Sequence, residues 1–433
     1  MIAIWNIYLM NLNHLKNNYF GPKRSKPAVY IAHGDSPYNN TRIALSNIDL
    51  SAANGKKVLL KPNAGRIATF DKGITTHPEV VAAAIDAFRE AGATVAIGES
   101  PISGVNTMEA FDITGISKIA KDRKCKLIDM DKGKFQTVNI PEGIALKSIK
   151  VCPEIFEYDI IVSIPVMKTH MHTGATLALK NMKGCLWRRS KVILHMLPTV
   201  EGINEKPIDI AIADMSSVLK PHLSIIDGTI CMEGLGPSAG SPRPMNMVMV
   251  GANVYASDAV AASLMDIKPK SVPHLKIASE RGYGTIKISE IEIQPDNWKD
   301  FIIPFASPPK NLTLEYPNIN IYDVNSCSAC QSSLYLFLKR YGKSMTDYFS
   351  AEKPLNIAIG KGIKEVPKGT LCIGNCTNMH KGSCKVISGC PPVSSEILCA
   401  ITGKPSFDTM DGHGKIEEEI LSGKSLLHDN PYI

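Results

Sequence analysis

The sequence predicts an α/β fold, a mostly parallel sheet with flanking helices, followed by a small cysteine-rich C-terminal segment. Three observations carry that prediction. From Lys56 onward, short apolar strand patterns alternate with amphipathic helix patterns, the rhythm of a parallel sheet with crossover helices. The strand patterns end on clusters of polar residues, as strands do when a site lies beyond their carboxyl ends. Seven of the 11 cysteines fall in the last quarter of the chain.

Taken in order, residues 57–61 form a short β run ending at Pro62-Asn63. His77-Pro78 then opens an amphipathic helix over 79–90, closed by Ala91-Gly92. Residues 94–97 form the next strand, ending at Gly98-Glu99-Ser100, which completes a right-handed β-α-β unit. Further strands are expected at 159–164, 223–227 and 245–250, and helices around 109–121, 174–182, 207–219, 255–265 and 270–281. Pro304, Pro308 and Pro309 mark a linker. The expected division is an N-terminal extension over 1–28, an α/β domain over 29–310 and a cysteine-rich segment over 311–433. Residues 1–27 read as a frayed extension or the product of a start codon placed too early.

At 44% hydrophobic and 21% charged residues, the composition is that of an ordinary globular protein. Aromatic residues are only 6% of the chain, too few for a platform on which nucleobases stack. A net charge of +7 over 433 residues permits an anionic ligand without demanding nucleic acid. No apolar run is long enough for a membrane span, and the apolar opening lacks the basic flank and cleavage site of an export signal. A reduced, cytoplasmic setting is therefore expected, with no membrane or nucleic-acid partner.

The late cysteines read Cys327-x-x-Cys330, then Cys372-x3-Cys376-x7-Cys384-x5-Cys390-Pro391-Pro392, with Cys399 trailing. Disulfides belong to short secreted chains, so metal binding is the better reading of this density. Two close pairs could hold zinc. Four thiolates also hold an iron–sulfur cluster, and a proline directly after one ligand is common in ferredoxins. Cys327, Cys330, Cys376 and Cys390 are the expected ligands of a [4Fe-4S] cluster, with Cys372 and Cys384 in reserve. Cys399 sits in an apolar run and reads as a packing residue, as do the isolated Cys125, Cys152 and Cys231.

Reading off the strand ends gives Lys61 and Asn63, Glu99 and Ser100, and Lys168, Thr169 and His170 as site candidates. The stretch 160–200 holds Lys168, Lys180, Lys183, Arg188, Arg189 and Lys191 with His170, His172 and His195, and no Asp or Glu, although 41 residues of the chain are acidic. Cations without counter-charges are costly to bury, so these are expected to face water or an anion. Thr173-Gly174 is expected to open a helix whose amino end also favours negative charge. His170 and His172 alone are a weak metal signal. Lys180 and Lys183, three apart, share one helix face, and either could be a substrate clamp or an ordinary surface lysine. The glycine-rich run 234–240 lacks both the Walker lysine and the dinucleotide-binding pattern.

Several segments, in consistent order, resemble the domain of unknown function 362 family. They are Lys61-Pro62-Asn63, Thr76-His77-Pro78, Gly98-Glu99-Ser100, Pro165-Val-Met-Lys168-Thr169-His170, Leu179-Lys180-Asn181-Met-Lys-Gly184, Asp227-Gly228 and Glu233-Gly234-Leu-Gly236-Pro237. The resemblance implies iron–sulfur ligands near the C-terminus, which that family frequently carries as an appended ferredoxin. Here the ligands would instead be split between Cys327/Cys330 and the Cys376–Cys390 region. No reaction is implied by the resemblance.

The expected function is an iron–sulfur protein whose α/β domain takes a small anionic substrate in a redox or electron-transfer reaction, served by a redox partner protein. Lys168 and His170 would be catalytic, and Lys61, Asn63, Glu99, Ser100, Thr169, Lys180, Asn181 and Lys183 would bind the substrate. The alternatives are an open-iron dehydratase and a non-enzymatic, zinc-stabilised binding protein.

Overall fold

A computed structural model describes residues 13–21, 26–102, 105–188, 190–307, 315–345 and 349–402. The chain divides into two compact units, one of residues 1–191 with 209–307, the other of residues 192–208 with 308–433. The segment 192–208, which the sequence reading kept within the α/β domain, thus belongs with the cysteine-rich unit.

In the first unit the chain runs β1 (Ala28–His33), α1 (Pro37–Leu45), β2 (Lys57–Pro62), α2 (Pro78–Glu90), β3 (Thr94–Glu99), α3 (Thr107–Ile113), α4 (Ile116–Asp122) and β4 (Lys126–Asp129). A small antiparallel pair follows, β5 (Gln136–Asn139) and β6 (Ser148–Val151), then β7 (Ile160–Ile164), β8 (Val166–His170), β9 (Gly174–Thr176), α5 (Ala178–Asn181), α6 (Ser190–Ile193) and α7 (Pro207–Ser216). Two long strands, β10 (Leu223–Glu233) and β11 (Ser241–Gly251), precede α8 (Val254–Leu264), α9 (Pro273–Glu280) and β12 (Glu292–Gln294). The sheet order is β12-β1-β11-β10-β7-β2-β3-β4, with β8 pairing β10 and β9. Strands β10, β7, β2, β3 and β4 pair in parallel, whereas β11 is antiparallel to both neighbours. This is the expected α/β, mostly parallel sheet.

Burial explains the pattern. Strands β2, β3 and β7 are buried along almost their whole length, so they read as continuous apolar runs rather than alternating ones. Helix α2 starts as expected, with Pro78 in its first turn and the His77 ring accepting the amide of Glu79. Its apolar face, from Val80 to Phe88, packs into the main core with Val58, Leu60, Ile97 and Val162.

Four expectations change. The helix drawn over 109–121 is two helices, because Gly115 adopts a left-handed φ of 82° between them. The helix drawn from 174 is a strand at its start: Gly174–Thr176 pairs antiparallel with Lys168–His170, and Gly174 has a φ of 81°. The strand drawn as 223–227 runs on to Glu233 through a bulge near Gly228, and the glycine-rich run is the turn of its hairpin with β11. Finally, residues 13–20 are not frayed. Leu15 and Phe20 are buried, and the ring of His14 meets the carbonyl of Ile155 at 2.9 Å.

The second unit carries a four-stranded parallel sheet, β13 (Ile319–Asp323), β14 (Leu355–Ile359), β15 (Leu371–Ile373) and β16 (Lys385–Ile387), in that order. Helices α10 (Ser328–Met345) and α11 (Ser394–Thr402) accompany it. Leu334, Phe337 and Leu338 of α10 and Ile397 of α11 share a core with Ile357 and Ile359 of β14. Arg189 and the Pro308-Pro309 linker lie outside the described residues.

Candidate functional site

Lys61 ends β2 and Glu99 ends the adjacent β3. Both side chains are about as buried as any in the protein, at 2% and 1% exposure, and their charged atoms stand 2.8 Å apart. Lys61 Nζ also donates to Asn181 Oδ1 at 3.0 Å and to the Pro62 carbonyl at 2.9 Å. Asn181 returns a bond to the Lys61 carbonyl and another to Ser163 Oγ, which ties α5 to β2 and β7. Glu99 accepts the amides of Ala64 and Ser100. Burial pushes its carboxyl pKa up, against the pull of Lys61 and of the Ala64 amide. Gly184 covers the pair, and a Cβ there would collide with both Lys61 Nζ and Glu99 Oε1. Of the candidates read from the sequence, Lys61, Glu99 and Asn181 therefore form one network.

Lys168, Lys180 and Lys183 add charge around it. Lys168, on β8, is 3% exposed and donates to the Ile74 carbonyl at 2.8 Å. Burial, then Arg66 and Lys61, lower its pKa to about 7, with Glu99 opposing. Lys180, on α5, is 8% exposed, and its pKa falls well below the ordinary value through burial and then the neighbouring Lys183 and Lys168, with Asp209 opposing. Burial and then Lys191 bring Lys183 to about 8.

The basic stretch is thus not a solvated face, because Lys168, Lys180 and Lys191 are buried. Lys191 finds its counter-charge outside the stretch: it donates to Ser100 Oγ and stands 3.7 Å from Asp131. Ser100 in turn bonds Asp131, so this triad locks the loop after α5 against the end of β3. Arg188 is exposed, with its guanidinium over the Trp187 ring. The amino end of α5 does attract an anion, but the anion is the protein's own: Asp258 accepts the amides of Ala178 and Leu179.

The remaining candidates have local duties. Thr169 Oγ1 donates to the Gly234 carbonyl at 3.0 Å and Met171 N to that of Gly236, which pins the β10–β11 turn. Gly236 is required there, since a Cβ would strike the Thr169 carbonyl. His170 Nδ1 accepts the amides of His172 and Thr173 at 3.0 and 3.3 Å, which leaves the proton of the neutral ring on Nε2. The backbone of Asn63 bonds Thr76 and Ile164, and its side chain is half-buried. Sequence reasoning missed Arg66, Asp131 and Asp209, each remote in sequence from the lysine it acts on, and Asp258, which caps α5.

In the second unit, Cys327 stands immediately before α10 and Cys330 in its first turn. Hydrogen bonding from the Cys330 thiol pulls Cys327 down to about 5, opposed by desolvation and helped by the amides of Cys330 and Ala329 and by Lys206. Cys330 is pushed up, first by that bond to Cys327, then by burial and by the charges of Cys327, Cys390 and Cys376. Cys327, Cys330, Cys376 and Cys390 are therefore neighbours. Cys372 interacts instead with Cys384, which raises it to about 12 together with burial, the larger cause. Gly374 has a φ of 97°, and a Cβ on it would stand 3.4 Å from Cys330 Sγ. The segment 192–208 borders the thiols: the His195 carbonyl accepts the Cys390 amide at 3.0 Å, and the Leu197 carbonyl accepts Asn375 Nδ2 at 2.8 Å. Among the described residues, no group of three or more His, Cys, Asp or Glu side chains has the arrangement to hold a metal ion.

With this geometry in view, residues 58–263 match the family described as Domain of unknown function (DUF362). Over that span the chain is similar to the DUF362 domain. The match runs from β2 to α8, and so contains Lys61, Glu99, Lys168, Lys180, Asn181 and Lys183 while leaving out the cysteine-rich unit. The chain is also 26% identical over 252 residues to the thylakoid-associated protein sll1697 of Synechocystis sp., an alignment covering 57% of this chain and 76% of the relative. Among the described residues, no helix is long and apolar enough to cross a membrane.

Proposed function

We propose that this protein binds an iron–sulfur cluster in its C-terminal unit and a small anion in its α/β unit, and that it acts in redox or electron transfer with a partner protein. The observation that carries the cluster is the sorting of the cysteines. Cys327, Cys330, Cys376 and Cys390 neighbour one another, whereas Cys372 and Cys384 pair apart. Support comes from donor chemistry and neighbourhood rather than from ligand geometry, since no described group has the arrangement for a metal ion. Four thiolates suit a [4Fe-4S] cluster, which supplies one-electron transfer when bound. Gly374, whose φ of 97° other residues rarely adopt, turns the chain beside Cys330 Sγ.

The anion reading rests on the buried lysines. Lys168, Lys180 and Lys183 would hold the ligand, and His170 would donate a hydrogen bond through Nε2. Because His170 Nδ1 already accepts two amides, protonating it would break both bonds. Proton exchange with the ligand falls to Lys168, whose pKa of about 7 suits a general acid near neutrality.

Anaerobic purification followed by iron, sulfide and zinc analysis, with EPR before and after dithionite, tests the cluster. Iron and sulfide in equal amounts, with a signal appearing on reduction, are expected. Stoichiometric zinc without sulfide would sink the redox reading.

A further inference from the structure

We infer that Cys372 and Cys384 form a second sulfur site, a dithiol that closes to an intramolecular disulfide by exchange with a small-molecule disulfide such as oxidised glutathione. The site goes beyond the function proposed above and does not depend on the cluster. In β15, Leu371 and Ile373 face the core shared with α10 and α11, as do Ile357 and Ile359 of β14 and Ile387 of β16. Side chains alternate along a strand, so Ala358, Cys372 and Val386 point to the other face. There Ala358, Ile363 and Cys372 form a smaller buried cluster, against which Tyr322, Val366, Val386 and Cys384 pack. Cys372 is the register partner of Val386. Cys384 stands two residues before Val386 and so reaches the same face of the neighbouring strand.

The two thiols share a hydrogen bond as well as a packing contact. The turn before β16 positions Cys384, with the His380 carbonyl accepting the amides of Ser383 and Cys384 at 3.1 and 3.0 Å. Gly382 in that turn has a φ of 107° and open space where a Cβ would stand, which gives the chain room to draw the sulfurs to bonding distance. Access differs between the two. Cys372 is fully buried, whereas Cys384 is partly exposed. Burial and then Cys384 also raise Cys372 to about 12, which makes it a poor first nucleophile. Cys384, as thiolate, therefore attacks one sulfur of the small disulfide, forming a mixed disulfide and releasing one small thiol. Cys372 then gives up its proton and attacks the Cys384 sulfur, closing the internal bond and releasing the second small thiol. Two protein thiols lose two electrons and two protons, and the small disulfide gains both. Cys327, Cys330, Cys376 and Cys390 neighbour one another instead, so they take no part in the exchange.

The test uses the full chain, purified anaerobically and equilibrated with reduced and oxidised glutathione at several ratios. Free thiols are then alkylated, and the digested protein is read by tandem mass spectrometry. Fragmentation separates Cys372 from Cys376, which share a tryptic peptide. As the oxidised fraction rises, a Cys372–Cys384 link is expected to appear, to vanish on adding dithiothreitol, and to leave the iron and zinc content unchanged. Cys372→Ser is expected to retain one glutathionyl group on Cys384, because no second thiol displaces it. Cys384→Ser is expected to leave Cys372 unmodified. Should either variant fail to fold, the wild-type readings decide alone. Wild-type protein that keeps glutathione on Cys384, or that leaves both thiols free at every ratio, would overturn the inference. So would a link from Cys384 to Cys376, or metal lost in step with the link, which would make the pair ligands instead.

Discussion

Replacing Lys168 with Met should flatten the pH dependence of the α/β unit's stability. Lys168 has an ordinary pKa of 10.5 in the unfolded chain and about 7 in the fold. A depressed folded value means that stability is fully present above 10.5, declines as pH falls, and has lost the whole contribution once pH passes below about 7. The gap corresponds to about 5 kcal/mol at one pKa unit per 1.4 kcal/mol, an upper figure for a charge buried among Arg66, Lys61 and Glu99. Between pH 9 and pH 7, Lys168 alone should therefore cost the wild-type protein about 2 kcal/mol. Lys180 and Lys183 titrate in the same direction, so the wild-type slope should be steeper still. Methionine keeps much of the side-chain volume and gives up only the bond to the Ile74 carbonyl. Urea unfolding in chloride buffer, followed by tryptophan fluorescence at both pH values, measures the difference. Wild type and Lys168→Met losing the same stability from pH 9 to pH 7 would refute the claim that this ammonium is buried at a cost.

Removing one member of the Lys61–Glu99 pair should cost about 3 to 5 kcal/mol in urea unfolding, because the survivor is left charged in the core. Lys61→Met belongs at the lower end, since Glu99 keeps the amides of Ala64 and Ser100. Gly184→Ala should be destabilised by more than about 1 kcal/mol, as its Cβ would displace that same pair, and a neutral result would mean that the loop shifts freely. Cys376→Ser and Cys390→Ser should lose most of the iron found by chemical analysis, whereas Cys372→Ser and Cys384→Ser should retain it. Equal iron loss across all four variants would undo the sorting of the thiols.

Much of the α/β architecture was legible because buried parallel strands are continuous apolar runs and α2 carries both of its stop signals. Lys61, Glu99 and Asn181 could be nominated one by one from strand ends and a lysine-rich turn. Their union could not, because it depends on β2 and β3 lying side by side and on α5 folding back over them. The β8–β9 hairpin was hidden by the alanine-rich run that follows Gly174, whose helical propensity outweighs three residues of strand. The burial of the lysines was not legible, because Asp131 beside Lys191 and Asp209 near Lys180 lie outside the acid-free stretch. Among the cysteines, spacing alone could not separate Cys372 from Cys376; the sheet does so, by holding Cys372 on β15 and Cys376 in the turn beyond it.

The division of the chain has a consequence for its modularity. The polypeptide passes from one unit to the other at 191, returns at 208 and leaves again at 307, so the cysteine-rich unit is not a tail that can be clipped off cleanly. A fragment ending at 307 would retain every strand of the large sheet, yet it would strand residues 192–208 without Asn375 and the Cys390 amide, to which their carbonyls are bonded. The sulfur-bearing half is likewise incomplete without a loop encoded in the middle of the other. Expressing either half alone would therefore give up the bonds that residues 192–208 make.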